Sequence, residues 1–192
     1  MIDKQSQMDQ AIFVAKSLFD RGKTSGASAN ISFIHEDGIY ISGTGTCFGF
    51  LTSDSFALLD KTGAHISGIA PSREREMHMI IYKNRPNVKA IIHTHSFYSV
   101  LWSCLDSADT FDAIPSHTPY LRMILGKVRL VPYAVPGSIE LFDLFSRHVC
   151  NADGYLLANH GPIVGGADIL STFYAIEELE ESAKVAWTLR NR

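Results

Sequence analysis

Apolar residues recur with helical spacing at both ends of the chain. A helix that ends before Gly22 is predicted from the apolar positions Met8, Ala11, Ile12, Ala15, Leu18 and Phe19. A second helix begins near Asp168, a residue type favoured as an N-cap, and its apolar positions are Phe173, Ile176, Leu179, Ala183 and Trp187. Helices are therefore expected at both ends of the fold.

The middle of the chain alternates strand-like runs with helical stretches. NISFIHEDGIYISG predicts a hairpin that turns at Asp37-Gly38, and further strands are predicted at FALLD, AHISG, Val88 to Ile92, KVRLVPY and GYLLANHG. Two more helices are predicted, over SREREMHMIIYKNRP and over Ser96 to Leu105. This mixture predicts an α/β fold in which helices flank a mostly antiparallel sheet.

Composition narrows the class of protein. The 192 residues are 46% hydrophobic and 19% charged, and no repeat or composition shift divides them, so residues 1–192 are interpreted as one domain. A net charge of -3 without a basic stripe argues against a nucleic-acid partner, and no apolar run is long enough for a membrane span. Three cysteines and a polar start unlike a signal peptide predict a cytoplasmic protein.

Two histidines follow a strand that is apolar enough to be buried, in the segment VKAIIHTHS. His93 and His95 are expected to project from one face at the end of this strand, because residues i and i+2 of a strand point the same way. Two imidazoles on one face suit zinc or another first-row divalent metal. The pattern alone is equally compatible with one core histidine and one surface histidine, so a metal site requires a third ligand.

His160 is the preferred third ligand, because it also lies where an apolar strand ends, in LLANHGPIVGG. His117, in the proline-flanked loop IPSHTPY, is the alternative. His78 falls in the middle of a predicted helix and is expected to pack or cap rather than to bind a metal.

A general acid or base is expected close to such a metal. Glu74 and Glu76 open a predicted helix, where the helix dipole favours carboxylates whatever their role. The cluster Glu177, Glu178, Glu180 and Glu181 is interpreted instead as a solvated helix face.

Three segments have the composition of anion-binding sites. SGASANIS and SGTGTCFG are rich in small residues, and APSRE places Ser72 and Arg73 at a helix N-terminus. None of them matches the P-loop pattern, and each signal is weak alone.

Taken together, these segments resemble the class II aldolase/adducin family, which includes fuculose-phosphate aldolase and ribulose-phosphate 4-epimerase. The matching motifs occur in the family's order over nearly the whole chain: ANIS, ISGTG, PSRE, HMIIYKNRPNVKAIIHTHS and LLANHG. The resemblance implies a three-layer α-β-α fold and a homotetramer with sites at the subunit interfaces.

The resemblance also implies a role for particular positions. His93, His95 and His160 match three zinc-binding histidines that hold one Zn2+ per subunit, and Glu74 matches the acid/base carboxylate. The positions that match surroundings of the substrate phosphate are Asn30, Thr44, Gly45, Ser72 and Arg73. Tyr120 is a candidate that a neighbouring subunit contributes.

Within the family, HTPYLRM, VRLVPYAVPGS and LLANHGPIVGGADI are most similar to the 3-oxo-tetronate 4-phosphate decarboxylase branch. This implies a small phosphorylated sugar-acid substrate, which is decarboxylated to dihydroxyacetone phosphate and CO2 through a metal-stabilised enediolate. A sugar-phosphate aldolase, a 4-epimerase and a non-enzymatic adducin-like binding domain are the alternatives.

Two positions depart from the family pattern. Ala29 stands where the family usually has glycine, and Arg73 stands where the aldolases tend to have a second serine. The arginine adds charge for a second anionic group, and whether it binds the phosphate or the carboxylate stays open.

Overall fold

A computed structural model describes residues 3–105, 109–149 and 152–190. The helices in these ranges are α1 (Lys4–Asp20), α2 (Arg75–Asn84), α3 (Phe97–Ser103), α4 (Pro119–Ile124), α5 (Ile139–His148) and α6 (Ile169–Arg190). The strands are β1 (Asn30–His35), β2 (Gly38–Ser42), β3 (Phe56–Leu59), β4 (His65–Gly68), β5 (Ala90–His93), β6 (Val128–Val131), β7 (Gly154–Leu157) and β8 (Gly161–Gly166). None of the described helices is long and apolar enough to cross a membrane.

The strands form one sheet in the order β4-β3-β2-β1-β5-β8-β7-β6. Every neighbouring pair is antiparallel except β6 and β7, which run parallel. The long segment between β4 and β5 contains α2 and returns the chain to the middle of the sheet, where β5 pairs with β1. The central position of β5 explains why its residues are completely buried.

Helices cover both faces of the sheet. One apolar core joins α1, α3, α4 and α6 to the face that carries Ile31, Phe33 and Ile92. The second core joins α2 and α5 to the opposite face, which carries Ile91 and Ile163. Successive side chains of a strand point to opposite faces of the sheet, so each strand contributes residues to both cores. The predicted three-layer α/β fold with a mostly antiparallel sheet is therefore confirmed.

Three elements were not predicted from the sequence: α4, α5 and β8. The strand β8 has the sequence GPIVGG, and its proline and glycines obscure the strand pattern. The predicted strand GYLLANHG is confirmed only as far as Leu157, because residues 158–160 form a turn. The capping role predicted for Asp168 is confirmed, since its side chain accepts a hydrogen bond from the Ser171 N–H at 2.7 Å.

The interpretation of the α6 glutamates as a solvated face is wrong for Glu180. This residue is only 3% exposed. Its carboxylate accepts hydrogen bonds from the N–H groups of Tyr98 and Ser99, at 3.0 and 2.9 Å, and from the Ser99 hydroxyl at 2.7 Å. These donors lie in the first turn of α3, directly after His95. A residue of the last helix therefore fixes the segment that follows the predicted metal ligands.

Glu180→Gln is expected to lower the free energy of unfolding by about 2 kcal/mol, because an amide cannot accept from all of these donors as a carboxylate does. Urea unfolding followed by circular dichroism measures the change. Glu181→Gln is the matched control on the same helix: its side chain is 51% exposed and pairs with Lys23, so its effect should stay within about 1 kcal/mol. Equal losses in the two variants would contradict the role given to Glu180.

Candidate active site

His93 is the last residue of β5 and is completely buried. Its Nδ1 lies 2.7 Å from the carbonyl oxygen of Pro162, which can only accept a hydrogen bond. The proton of the neutral ring is therefore on Nδ1, and the Nε2 lone pair faces His95 and Glu74. Burial lowers the pKa of His93 to about 4, although Glu74 opposes the shift, so the ring is neutral at neutral pH.

His95 lies beyond the strand, because β5 ends at His93. The prediction that both histidines project from one strand face is therefore wrong in its local geometry. The chain nevertheless turns so that the two Nε2 atoms lie 3.2 Å apart. Thr94 between them is buried, and its N–H donates to the Pro162 carbonyl at 3.2 Å. The pair is thus held by the β5–β8 edge rather than by strand alternation.

His160 is positioned by the tight turn between β7 and β8. Asn159 adopts a positive φ of 55°, a conformation that asparagine tolerates better than most residues. The His160 N–H donates to the Leu157 carbonyl at 3.1 Å, which closes the turn. Gly161 follows immediately, and a side chain there would clash with the carbonyl oxygen of Thr94. The turn can approach the two other histidines because this residue is glycine.

The three imidazoles converge. Their ring centroids are 4.8 to 5.1 Å apart, and their candidate ligand atoms all lie within 4.8 Å of one another. Three imidazole nitrogens around one point match the ligand set of a catalytic zinc site, in which a further position stays open for substrate. His117, the alternative ligand, is exposed and does not belong to this cluster.

Glu74 completes the cluster from the N-cap position of α2. Its two carboxylate oxygens lie 3.4 Å from His93 Nε2 and 3.3 Å from His160 Nε2. Burial raises the pKa of this carboxyl, but positive charge at the imidazole cluster and a hydrogen bond from Asn30 outweigh burial and hold the pKa well below its usual value. Glu74 is therefore ionised.

The contact between Glu74 and His93 tests whether a metal fits. The Nε2 of neutral His93 carries a lone pair, and a carboxylate oxygen also carries lone pairs. These two atoms repel each other at 3.4 Å unless a positive charge lies nearby. A divalent cation held by His93, His95 and His160 would remove this repulsion, so the residues fit a metal centre.

A chain of buried polar side chains extends from Glu74 into the layer between α2 and the sheet. Asn30 Nδ2 donates to Glu74 at 2.9 Å, and Asn30 Oδ1 lies 2.6 Å from His78 Nε2. Ser32 Oγ lies 2.7 Å from His78 Nδ1 and 2.7 Å from the Tyr82 hydroxyl. These contacts were not predicted from the sequence: the i to i+4 spacing of His78 and Tyr82 places them on one helix face, but their partners come from β1.

A cavity of about 810 Å³ opens above the cluster. The predicted positions that line it are Asn30, Thr44, Gly45, Ser72, Arg73, Glu74, His95 and His160. Ser72 is buried and its hydroxyl accepts from the Glu74 N–H at 3.2 Å, whereas Arg73, Thr44 and Gly45 are exposed. Further lining residues escaped prediction: Thr24, Val100, Pro136, Gly137 and Asn159. Tyr120 does not line the cavity; it lies near the start of α4 and is 58% exposed.

The sequence is similar to those of known proteins. The sequence model of the Class II Aldolase and Adducin N-terminal domain matches residues 10–187. A 3-oxo-tetronate 4-phosphate decarboxylase from Pectobacterium atrosepticum is 38% identical, over 98% of this chain and 87% of the relative. An L-fuculose phosphate aldolase from Methanococcus maripaludis is 34% identical, over 96% and 98%.

The fold is also found among solved structures. YgbL from Klebsiella pneumoniae, a candidate aldolase/epimerase/decarboxylase, superposes with a TM-score of 0.96 at 35% identity, covering 100% of this chain and 93% of YgbL. A family match over most of the length, relatives above 30% identity and a nearly identical fold lead to one conclusion. The chain belongs to the class II aldolase and adducin N-terminal domain family.

Proposed function

We propose that this protein is a metal-dependent carbon–carbon lyase that decarboxylates a 3-oxo-tetronate 4-phosphate to dihydroxyacetone phosphate and CO2. The observation that carries the proposal is an ionised Glu74 within 3.4 Å of two of three converging imidazoles, beside a polar cavity. The similarity to a relative named for this reaction supports the choice of substrate.

The proposed metal ligands are His93, His95 and His160, with one Zn2+ per subunit. Zinc suits three imidazole ligands in a site with an open position. A divalent metal bound there supplies a Lewis acid that withdraws electrons from the substrate's carbonyl oxygen. The protein orients the proposed ligands, as the hydrogen bond from His93 Nδ1 to the Pro162 carbonyl does for His93.

The proposed phosphate site comprises Asn30, Thr44, Gly45, Ser72 and Arg73, which share one cavity with Glu74. Thr44 and Gly45 belong to a turn that is closed by the Thr46 N–H on the Gly43 carbonyl. Arg73 is the cation among the proposed substrate-binding residues, and it adjoins Gly137 across the cavity. A substrate with two anionic groups suits a site that has both a small-residue turn and an arginine.

Glu74 is proposed to deliver the proton that the substrate gains after CO2 leaves. When the bond between C1 and C2 breaks, its electron pair forms an enediolate over C2 and C3, and CO2 leaves. C2 must then gain a proton to give dihydroxyacetone phosphate. Because Glu74 is ionised, it takes up a proton from a substrate hydroxyl or from water before it delivers one to C2.

The proposal includes the oligomeric state of the protein and its location in the cell. Residues 1–192 act as one domain, and four copies form a tetramer in which Tyr120 of a neighbouring subunit reaches the site. The exposure of Tyr120 on α4 suits such a contact. Cys47 and Cys104 are free thiols, which suits a reducing cytoplasm.

An aldolase or 4-epimerase acting on a sugar phosphate is the second candidate, and the similarity to an L-fuculose phosphate aldolase favours it. Both reactions produce negative charge on the same carbonyl oxygen, so the histidines and Glu74 serve either. An adducin-like binding domain is less well supported, because it has no use for the three histidines and Glu74.

Incubation of purified protein with an enzymatically prepared 3-oxo-tetronate 4-phosphate is expected to release CO2 and dihydroxyacetone phosphate in equal amounts. The release should stop when a chelator removes the bound metal, and it should resume when Zn2+ is added back. Fuculose phosphate and ribulose phosphate serve as parallel substrates. Their conversion, without any release of CO2 from the 3-oxo acid, would favour the second candidate.

Glu74→Gln is expected to lower kcat by about 10²- to 10⁴-fold, because an amide cannot carry the proton. Bound metal and the KM for substrate should change little, since the substitution preserves shape. Glu76→Gln is the matched control, because Glu76 lies in the same helix turn but is exposed and does not line the cavity. Full turnover in the Glu74 variant would assign the proton to another group.

His93→Ala is expected to reduce the bound metal from about one ion per subunit to a small fraction, together with activity, because a site of this kind needs three protein ligands. Elemental analysis after gel filtration measures the metal. His65→Ala removes an exposed histidine of β4 and should leave metal content unchanged. Full metal content in the His93 variant would rule out the proposed ligand set.

A further inference from the structure

A chain of hydrogen-bonded side chains connects Glu74 through Asn30, His78 and Ser32 to Tyr82. All of its hydrogen bonds donate in the same direction. Asn30 Nδ2 donates to a Glu74 carboxyl oxygen at 2.9 Å, which leaves the amide oxygen Oδ1 to face the other side. The Asn30 carbonyl Oδ1 then faces His78 Nε2 at 2.6 Å, which requires a proton on Nε2. Each partner fixes the orientation of the next.

The remaining links follow from the neutrality of His78. This ring is 1% exposed, and burial lowers its pKa to about 3, so it carries one proton only. With that proton on Nε2, Nδ1 must accept from the Ser32 hydroxyl at 2.7 Å. The Ser32 oxygen is then free to accept from the Tyr82 hydroxyl at 2.7 Å. Every donor in the chain therefore points toward Glu74.

We infer that His78 is a positioning residue for the reaction, which acts through Asn30 to present an N–H rather than a carbonyl oxygen to Glu74. Without His78, the Asn30 oxygen loses the donor that holds it on the side away from Glu74. A flipped amide would place an oxygen against the carboxylate and push Glu74 from its place between His93 and His160. The inference rests on the proton-carrying role proposed for Glu74.

The neighbouring geometry supports a role beyond filling space. Asn30 lies opposite His93 in the β1–β5 ladder, so the chain begins beside a proposed metal ligand. The positions of His78 and Tyr82 on α2, whose N-cap is Glu74 itself, make the chain a brace between one helix and one strand. A core that needed only packing would hold apolar side chains here, because buried polar groups are costly unless fully paired.

Four variants test the inference. His78→Leu is expected to lower kcat by about 10- to 100-fold, the usual cost of losing a partner of a site residue, with KM and bound metal nearly unchanged. His78→Gln restores an N–H donor toward Asn30 and should recover most of the loss. Tyr82→Phe should cost only a few-fold, because Ser32 can still donate to His78. Tyr155→Phe is the matched control: this buried hydroxyl donates to the Ala152 carbonyl, outside the chain.

These rates are measured on whichever phosphorylated substrate the wild-type protein converts. Equal kcat values in the Leu and Gln variants, or a loss that appears in KM alone, would overturn the inference.

Nitrogen NMR of the metal-free, ¹⁵N-histidine-labelled protein gives a readout that needs neither substrate nor activity. The His78 signal, assigned by its disappearance in His78→Gln, should show a protonated Nε2 and an unprotonated Nδ1. A proton on Nδ1, or rapid averaging between the two nitrogens, would overturn the inference even if the proposed reaction is correct. If the tautomer is found but no substrate is converted, the proposed function fails instead.

Discussion

The antiparallel pairing of β5 with β8 is the interaction on which the rest of the site depends. His93 lies opposite Ile163 in this ladder, and the Pro162 carbonyl accepts from both the Thr94 N–H and the His93 ring. Because β8 starts directly after the turn that carries His160, the same ladder fixes the third imidazole. Main-chain hydrogen bonds thus bring histidines about 65 residues apart in the sequence into one cluster.

The second requirement is that α2 covers the polar end of an otherwise apolar sheet face. Along β5 this face changes from Ile91 to His93, and along β1 it changes from Ile34 through Ser32 to Asn30. The buried face of α2 matches this change: apolar residues lie at one end of it, and Glu74 and His78 lie at the other. Polar groups are therefore concentrated where each has a partner, which limits the cost of burying them.

The sequence carries strong information about some of these residues and little about others. An apolar run that ends in His-Thr-His, and a second that ends in Asn-His-Gly, predict the three histidines of the cluster because the end of an apolar strand can be recognised from composition. The strand β8 is hidden by its proline and glycines, although those glycines exist for close approach to Thr94 and to Val88. The buried roles of His78 and Glu180 depend on partners about 48 and 81 residues away, and no local pattern encodes them.

The position of β8 in the chain also determines when the site can form during synthesis. Strands β1 to β4 can pair as successive neighbours as they leave the ribosome, and β5 can then join β1. The third imidazole reaches the other two only after residues 161–166 have emerged and paired with β5. A nascent chain shorter than this offers two imidazoles to a passing metal ion, and two ligands hold an ion weakly. The proposed metal would therefore be bound by all three imidazoles only once residues 161–166 can fold against β5.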